Sequence, residues 1–167
     1  WVRANPMPRS SDNSVGSRWR TIECGIRLSG TWPSAFYYFL PSPSFTDADV
    51  VLMIKSMAEQ AGYLYRYPRH GNWLTMEFNG MCHVGVLFPE FRRAEVWRTE
   101  AIARMHRELD AQVYPDGPQK ELTTGYHYVS LGNFLRMAEI CLFNDVPLPQ
   151  DYVSKLERMW AAGMWAM

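Results

Sequence analysis

The chain has 167 residues, 47% of them hydrophobic, and its seventeen basic and seventeen acidic side chains leave no net charge. That length suits about one domain with enough apolar content for a substantial core. The charge balance and the lack of any Lys/Arg run exclude a nucleic-acid binder that works through a broad positive field, although a cleft can still concentrate a few arginines.

The first fifteen or so residues, rich in Pro, Ser and Asn, read as an irregular opening loop. From Ser17 the pattern turns helical, with Trp19, Ile22 and Ile26 on one face and Glu23 and Arg27 as an i,i+4 pair. Gly30 is expected to end that helix, and Pro33 to start a short aromatic one through Leu40. After the Pro41-Ser42-Pro43-Ser44 break, Thr46 is an N-cap, with Asp47 and Asp49 favouring the positive end of the helix it opens. The apolar stripe there is Val50, Ile54, Met57, Ala61 and Leu64. A loop with Pro68, His70 and Gly71 follows, and Asn72 is placed to cap a helix striped by Trp73, Met76, Gly80, Met81 and Val84. Beyond Pro89 the next helix runs to about Leu109, with Phe91, Ala94, Trp97, Ala101 and Met105 inward.

Tyr114-Pro115-Asp116-Gly117 is a sharp turn that is expected to feed directly into a helix whose early turns carry Glu121, Tyr126 and His127. That helix extends to about Phe143. Pro147 and Pro149 stiffen a link, and Asp151 caps a last helix carrying Val153, Leu156, Met159 and Trp160. No segment shows sustained period-two alternation with strand composition. The chain therefore reads as all-α, built of antiparallel helical hairpins, as a compact bundle or as part of an α/α toroid.

Cys24, Cys82 and Cys141 are odd in number, far apart and free of CxxC or Cys/His spacing, so they read as buried free thiols. There is no transmembrane run and no visible signal peptide. The chain starts Trp-Val-Arg and stops in the apolar stretch from Met159 to Met167, which reads as a piece of a longer protein.

Tyrosine and histidine are common proton carriers, so Tyr126 and His127 stand first among the candidates. About 100° apart on a helix, they can line two sides of one groove but not pair directly. Equally open is a Tyr126 packed on the core with its hydroxyl at the surface, beside a His127 with one structural hydrogen bond. In Arg69-His70-Gly71-Asn72-Trp73, Asn72 is either an ordinary N-cap or an amide donor to a substrate carboxylate, with Trp73 offering a face to a sugar. Glu77, one turn on, can orient either group. Glu121 is a first-turn dipole partner or a catalyst, and Trp32, Tyr37 and Tyr38 stack on sugar or fill the core. No glycine loop, serine elbow or His-Glu-x-x-His motif is present, so no cofactor and no metal ion is called for.

Taken in order, Arg20-Thr21-Ile22-Glu23-Cys24-Gly25-Ile26-Arg27-Leu28, Gly71-Asn72-Trp73 with Glu77, Phe88-Pro89-Glu90-Phe91, and Gln112-Val113-Tyr114-Pro115-Asp116-Gly117 through Glu121 to Tyr126-His127 form a pattern. It resembles the N-terminal helical domain of the heparinase II/III-like polysaccharide lyases, which include alginate and heparan-sulfate lyases. The resemblance covers nearly the whole chain. It implies an incomplete α/α toroid followed by β-sandwich regions that this chain does not contain. It also implies β-elimination on an anionic, uronate-containing polysaccharide, with a periplasmic or secreted location. Asn72 would neutralise the uronate carboxylate so that the developing anion is tolerable. Tyr126 would protonate the leaving oxygen and in some members also act as base. His127, Trp73, Glu77, Glu121, Arg27 and His70 would form or support the substrate groove. Many relatives carry His directly after the asparagine, where this chain has Trp73, with His70 two residues early; a further histidine comes from later in their chains. Two other readings stand beside this one. The first is a non-catalytic carbohydrate-binding or scaffold domain. The second is a toroidal glycoside hydrolase using Glu77 and Glu121 as its carboxylate pair.

Overall fold

The computed structural model describes residues 1–165, so the last two residues of the apolar ending lie outside the described residues. Among these every regular element is a helix, and the one other pairing is an isolated bridge between Val113 and Gln119. Helix α1 (Thr21–Ile26) continues through a π-helical stretch (Arg27–Thr31) into α2 (Trp32–Phe39). There follow α3 (Asp47–Arg66), α4 (Asn72–Leu87), α5 (Ala94–Gln112), α6 (Thr124–Leu142) and α7 (Tyr152–Trp165). No helix among them is long and apolar enough to cross a membrane.

Helix α4 is the hub, buried on nearly every side from Leu74 to Val86. Its apolar side chains meet α3 and α5, and its glycines let neighbours come close. Gly85 lies against the α5 backbone, where a Cβ would come 2.7 Å from the Ala94 carbonyl. Paired contacts give the directions. Asn72 meets Ser130 and Cys82 meets Cys141, so α4 and α6 run parallel. His127 meets Met159 and Tyr152 meets Phe134, so α6 and α7 are antiparallel. Arg20 lies over Trp73 and Gly25 over Met76–Gly80, so α1 also runs with α4. The starts of α1, α4 and α6 therefore share one end of the layer.

Most of the expected stripes face inward: Met57, Ala61 and Leu64 on α3, and Ala94, Trp97, Ala101 and Met105 on α5 are buried. The Thr46 capping box forms with Asp49. The first helix differs from expectation. It starts at Thr21, capped from outside by the Asn13 side chain, which accepts from the Thr21 amide at 3.0 Å. Its inner face is Thr21, Cys24, Gly25 and Leu28, while Ile26 is exposed. The reason is steric, because only the Gly25 side lets α1 lie on the α4 backbone. Gly30 does not end the helix, since the wider π turn carries the chain on to Pro33. Glu23 pairs with Arg20 rather than Arg27. On α7 the inward residues are Tyr152, Leu156 and Met159, while Val153 and Trp160 are exposed. Asp151, at its start, binds His106 and Lys155. The three cysteines are free and buried.

Candidate functional site

The site candidates gather where α4 and α6 begin. Gly71, at φ +63°, turns the chain into α4, and that left-handed backbone suits glycine. Asn72 is the first residue of the helix, not its cap, and no side chain caps this end. Its amide is engaged elsewhere. Nδ2 donates to Glu121 Oε1 at 2.5 Å, and Oδ1 accepts from Ser130 Oγ at 2.9 Å. An acceptor on one side and a hydroxyl donor on the other fix which way the amide faces. One N–H of Nδ2 is left without an acceptor among the described residues.

A polar ladder behind Asn72 holds its backbone in place. Thr75 Oγ1 donates to the Asn72 carbonyl at 2.7 Å, Asn133 Nδ2 donates to Thr75 Oγ1 at 3.1 Å, and Asn79 Nδ2 donates to the Asn133 carbonyl at 2.7 Å. Thr75, Asn79 and Ser130 are fully buried and Asn133 nearly so. Sequence reasoning missed these residues. The signal was there, since Asn72, Thr75 and Asn79 share one face of a mostly apolar helix.

Tyr126 lies on the first turn of α6, after the Thr123 N-cap. It is 53% exposed, and its hydroxyl has no partner among the described residues. Four residues before Ser130, it shares the face that meets Asn72. His127 points the other way. Its Nδ1 accepts from the Gln119 amide at 3.3 Å and its Nε2 donates to the Met159 carbonyl at 3.0 Å. With both nitrogens occupied and 7% exposure, it ties the loop and α7 to α6.

The Tyr114–Gly117 turn reaches α6 less directly than its sequence suggests. Gly117, at φ +109°, packs where a Cβ would come 2.2 Å from the Arg158 carbonyl, so the turn is docked on α7. The chain then folds back, with the Tyr114 amide donating to Pro118 and the Lys120 amide to Gln112. A second bend, with Leu122 at φ +53°, precedes the helix. Glu121 is thus a loop residue, not part of the first helical turn. Gln119 holds it, accepting from the Glu121 amide at 2.8 Å, and so aims its carboxylate at Asn72.

Glu77 is buried, and its Oε2 accepts from the Arg69 amide at 2.8 Å while Oε1 has no partner among the described residues. Burial pushes its pKa up to about 7, and the Arg69 amide and nearby Thr21 hydroxyl only partly offset this. Glu77 therefore anchors the loop that precedes Asn72 and has no open face on the cleft. Trp73 is half-buried, with the Arg20 guanidinium 5.0 Å from its ring centroid and Arg69 at 5.9 Å. His70 is exposed on the same loop. Arg27 is drawn away from Asn72. Its Nε donates to Gln60 at 2.8 Å, it reaches the Arg18 carbonyl at 2.7 Å, and it lies 4.7 Å over the Trp1 ring.

The other aromatic candidates are elsewhere. Tyr37 donates to the Leu87 carbonyl at 2.9 Å, at the far end of α4 and about 22 Å from Asn72 along the helix. Tyr38 is exposed on the same short helix. A buried Glu77 and an exposed Tyr126 are the reverse of what a hydrolase carboxylate pair would need. The geometry instead offers an oriented amide donor at Asn72 and a free phenol on the α6 face that meets it. Among the described residues, no group of three or more His, Cys, Asp or Glu is arranged to hold a metal ion.

Similarity to known proteins covers the same ground. A heparin-sulfate lyase of Bacteroides stercoris is 33% identical over 178 residues, spanning 95% of this chain and 26% of that protein. One from Pedobacter heparinus is 35% identical over 162 residues, spanning 95% of this chain and 24% of its own. A crystal structure of heparinase III superposes with a TM-score of 0.91 at 28% identity, covering 99% of this chain and 25% of that one. The heparan sulfate lyase structure from Pedobacter heparinus gives 0.81 at 34% identity, covering 98% of this chain and 26% of that one. The chain thus spans about a quarter of the length of these relatives. The family profile described as Heparinase II/III N-terminus matches residues 1–167, and the chain belongs to that family.

Proposed function

We propose that the full-length protein is a polysaccharide lyase that cleaves a uronate-containing, heparan-sulfate-like polymer by β-elimination. The observation that carries this reading is the orientation of Asn72. Its amide is held by Glu121 and Ser130 so that one N–H remains to donate, and the α6 face that meets Asn72 also carries Tyr126, whose hydroxyl has no partner among the described residues. Relatives bearing the name heparin-sulfate lyase favour heparan sulfate over alginate as the polymer. Such a substrate fits a periplasmic or secreted protein. The helical layer is one arc of an incomplete α/α toroid, completed by later parts of the longer chain.

In this mechanism the Asn72 N–H bonds the uronate carboxylate, which lets negative charge build at C5. The C5–H bond breaks and its electron pair is held as an enolate-like anion on C5 and the carboxylate. That pair forms the C4=C5 double bond as the C4–O bond breaks, and Tyr126 delivers its proton to the departing oxygen. His127 is not the base, because both its nitrogens are spent on the loop and α7. The C5 proton goes either to tyrosinate 126 itself or to a group outside these residues.

Tyr126→Phe in the full-length protein tests the reading. Formation of the unsaturated uronate chromophore should fall at least a thousandfold while the fold and polymer binding persist. Retained activity would remove Tyr126 from the mechanism. Binding without product in the parent protein would leave a carbohydrate-binding domain instead.

A further inference from the structure

Beside the start of α1 lies a cavity of about 440 Å³, lined by Trp1, Arg18, Arg20, Glu23 and Arg27 among others. In a chain with no net charge, three arginines against one glutamate make this a local positive site. Arg18 is exposed, and its guanidinium makes no hydrogen bond or ion pair among the described residues. Among the described residues Arg20 keeps a buried Nε without an acceptor, and its one carboxylate contact is Glu23 at 3.4 Å. Arg27 is held rigidly by Gln60 and the Arg18 carbonyl, and Trp1 forms an aromatic wall beneath it. Position matters as much as charge. The cavity is at the end of the layer where α4 and α6 begin, and Arg20 connects it to Trp73, the neighbour of Asn72.

We propose that this cavity is a flanking subsite that binds an anionic substituent, a sulfate or carboxylate, on a sugar away from the bond being cleaved. Arginine suits either group, since its planar fork offers paired donors to planar or tetrahedral oxyanions. Trp73 and Trp1 supply apolar faces along the path of the sugar chain. Arg18 and Arg20 supply the charge. The identity of the polymer rests on the lyase reading above; the anion site does not.

Arg18→Glu in the full-length protein is the main variant, because that side chain is exposed and unbonded and its reversal leaves folding intact. Arg20→Gln is the second. On heparan sulfate, Arg18→Glu should raise KM about tenfold and lower kcat by less than twofold, and the salt dependence of KM should weaken. Arg18→Lys should recover most of the loss, which a purely structural role would not produce. Repeating the assay on the unsulfated polymer of the same backbone separates the two ligands. A KM effect that persists assigns a carboxylate, and one that vanishes assigns a sulfate. An unchanged KM for both Arg18→Glu and Arg20→Gln on heparan sulfate would overturn the subsite. If the parent protein yields no unsaturated product from any uronate polymer, the lyase reading fails separately. The site is then judged by the salt needed to elute parent and variants from immobilised heparin. Earlier elution of the variants supports it, and identical elution overturns it.

Discussion

Helix α4 meets α1 through bare backbone and meets α6 through a row of polar side chains. At the first seam, a Cβ on Gly25 would lie 2.5 Å from the Met76 carbonyl, and one on Gly80 2.5 Å from the Gly25 carbonyl. At the second, Asn72, Thr75, Asn79, Ser130 and Asn133 bridge the helices before Cys82 and Cys141 close the far end at 3.9 Å. Shape sets the first seam and hydrogen bonding the second. A seam set by shape tolerates no added atoms, but it does not aim any side chain. A polar seam tolerates changes in size more readily, and its geometry fixes where Asn72 points. The first is where the fold should break, and the second is where activity should break while the fold survives.

The largest effect is expected at the glycine seam. Gly80→Ala puts a methyl into the Gly25 backbone, which cannot yield as a flexible side chain would. The full-length protein should lose about 3 kcal/mol or more, read as a lower denaturant midpoint for the helical domain. A variant with the parent midpoint would show that the two helices can separate freely, and the distinction between the seams would go.

Glu77 sharpens the same seam through pH. Burial raises its pKa from the ordinary 4.5 to about 7, so the folded state holds the proton more tightly than the unfolded chain does. Its contribution to stability is full below about pH 4.5, declines as pH rises towards 7, and is flat above that. The decline should be on the order of 3 kcal/mol. Unfolding curves from pH 4 to 8 should show this slope in the parent and lose it in Glu77→Gln. A slope that survives the substitution would assign it to other groups.

Sequence reached the two seams unequally. The α3 and α5 stripes were legible because apolar side chains at helical spacing decide burial by themselves. The α1 seam was not, because a face made of Thr21, Cys24, Gly25 and Leu28 looks weaker than one with Trp19, Ile22 and Ile26. What selected it was the close approach of a partner helix, which no local pattern encodes. Family resemblance brought out Asn72 and Tyr126, yet the residues themselves left capping and core roles open. Only the fold brings Glu121, from a loop 49 positions away, onto the Asn72 amide. Proximity in sequence also misled. Tyr126 and His127 are neighbours, but one turns to α4 and the other to α7.

On the polar seam, Asn133→Ala removes the donor to Thr75 and leaves a buried hydroxyl with one partner fewer. A loss of about 1–2 kcal/mol is expected, smaller than at Gly80. On the proposed lyase reading, activity should fall by more than that loss of folded protein explains.

Ser130→Ala is the finest test, because it changes one hydroxyl and almost nothing else. The side chain is fully buried and donates to Asn72 Oδ1 at 2.9 Å, so its removal leaves a cavity of only one atom. Stability should change by about 1 kcal/mol or less. The consequence for Asn72 is larger. Without a donor at Oδ1, only Glu121 at Nδ2 holds the amide, and it is free to rotate away from the carboxylate it would bind. Small displacements of a reacting group are costly to rate, and kcat should fall roughly tenfold or more with KM little changed. A drop in midpoint without a drop in kcat would make Ser130 a packing residue, and the polar seam would then be a matter of stability like its glycine counterpart.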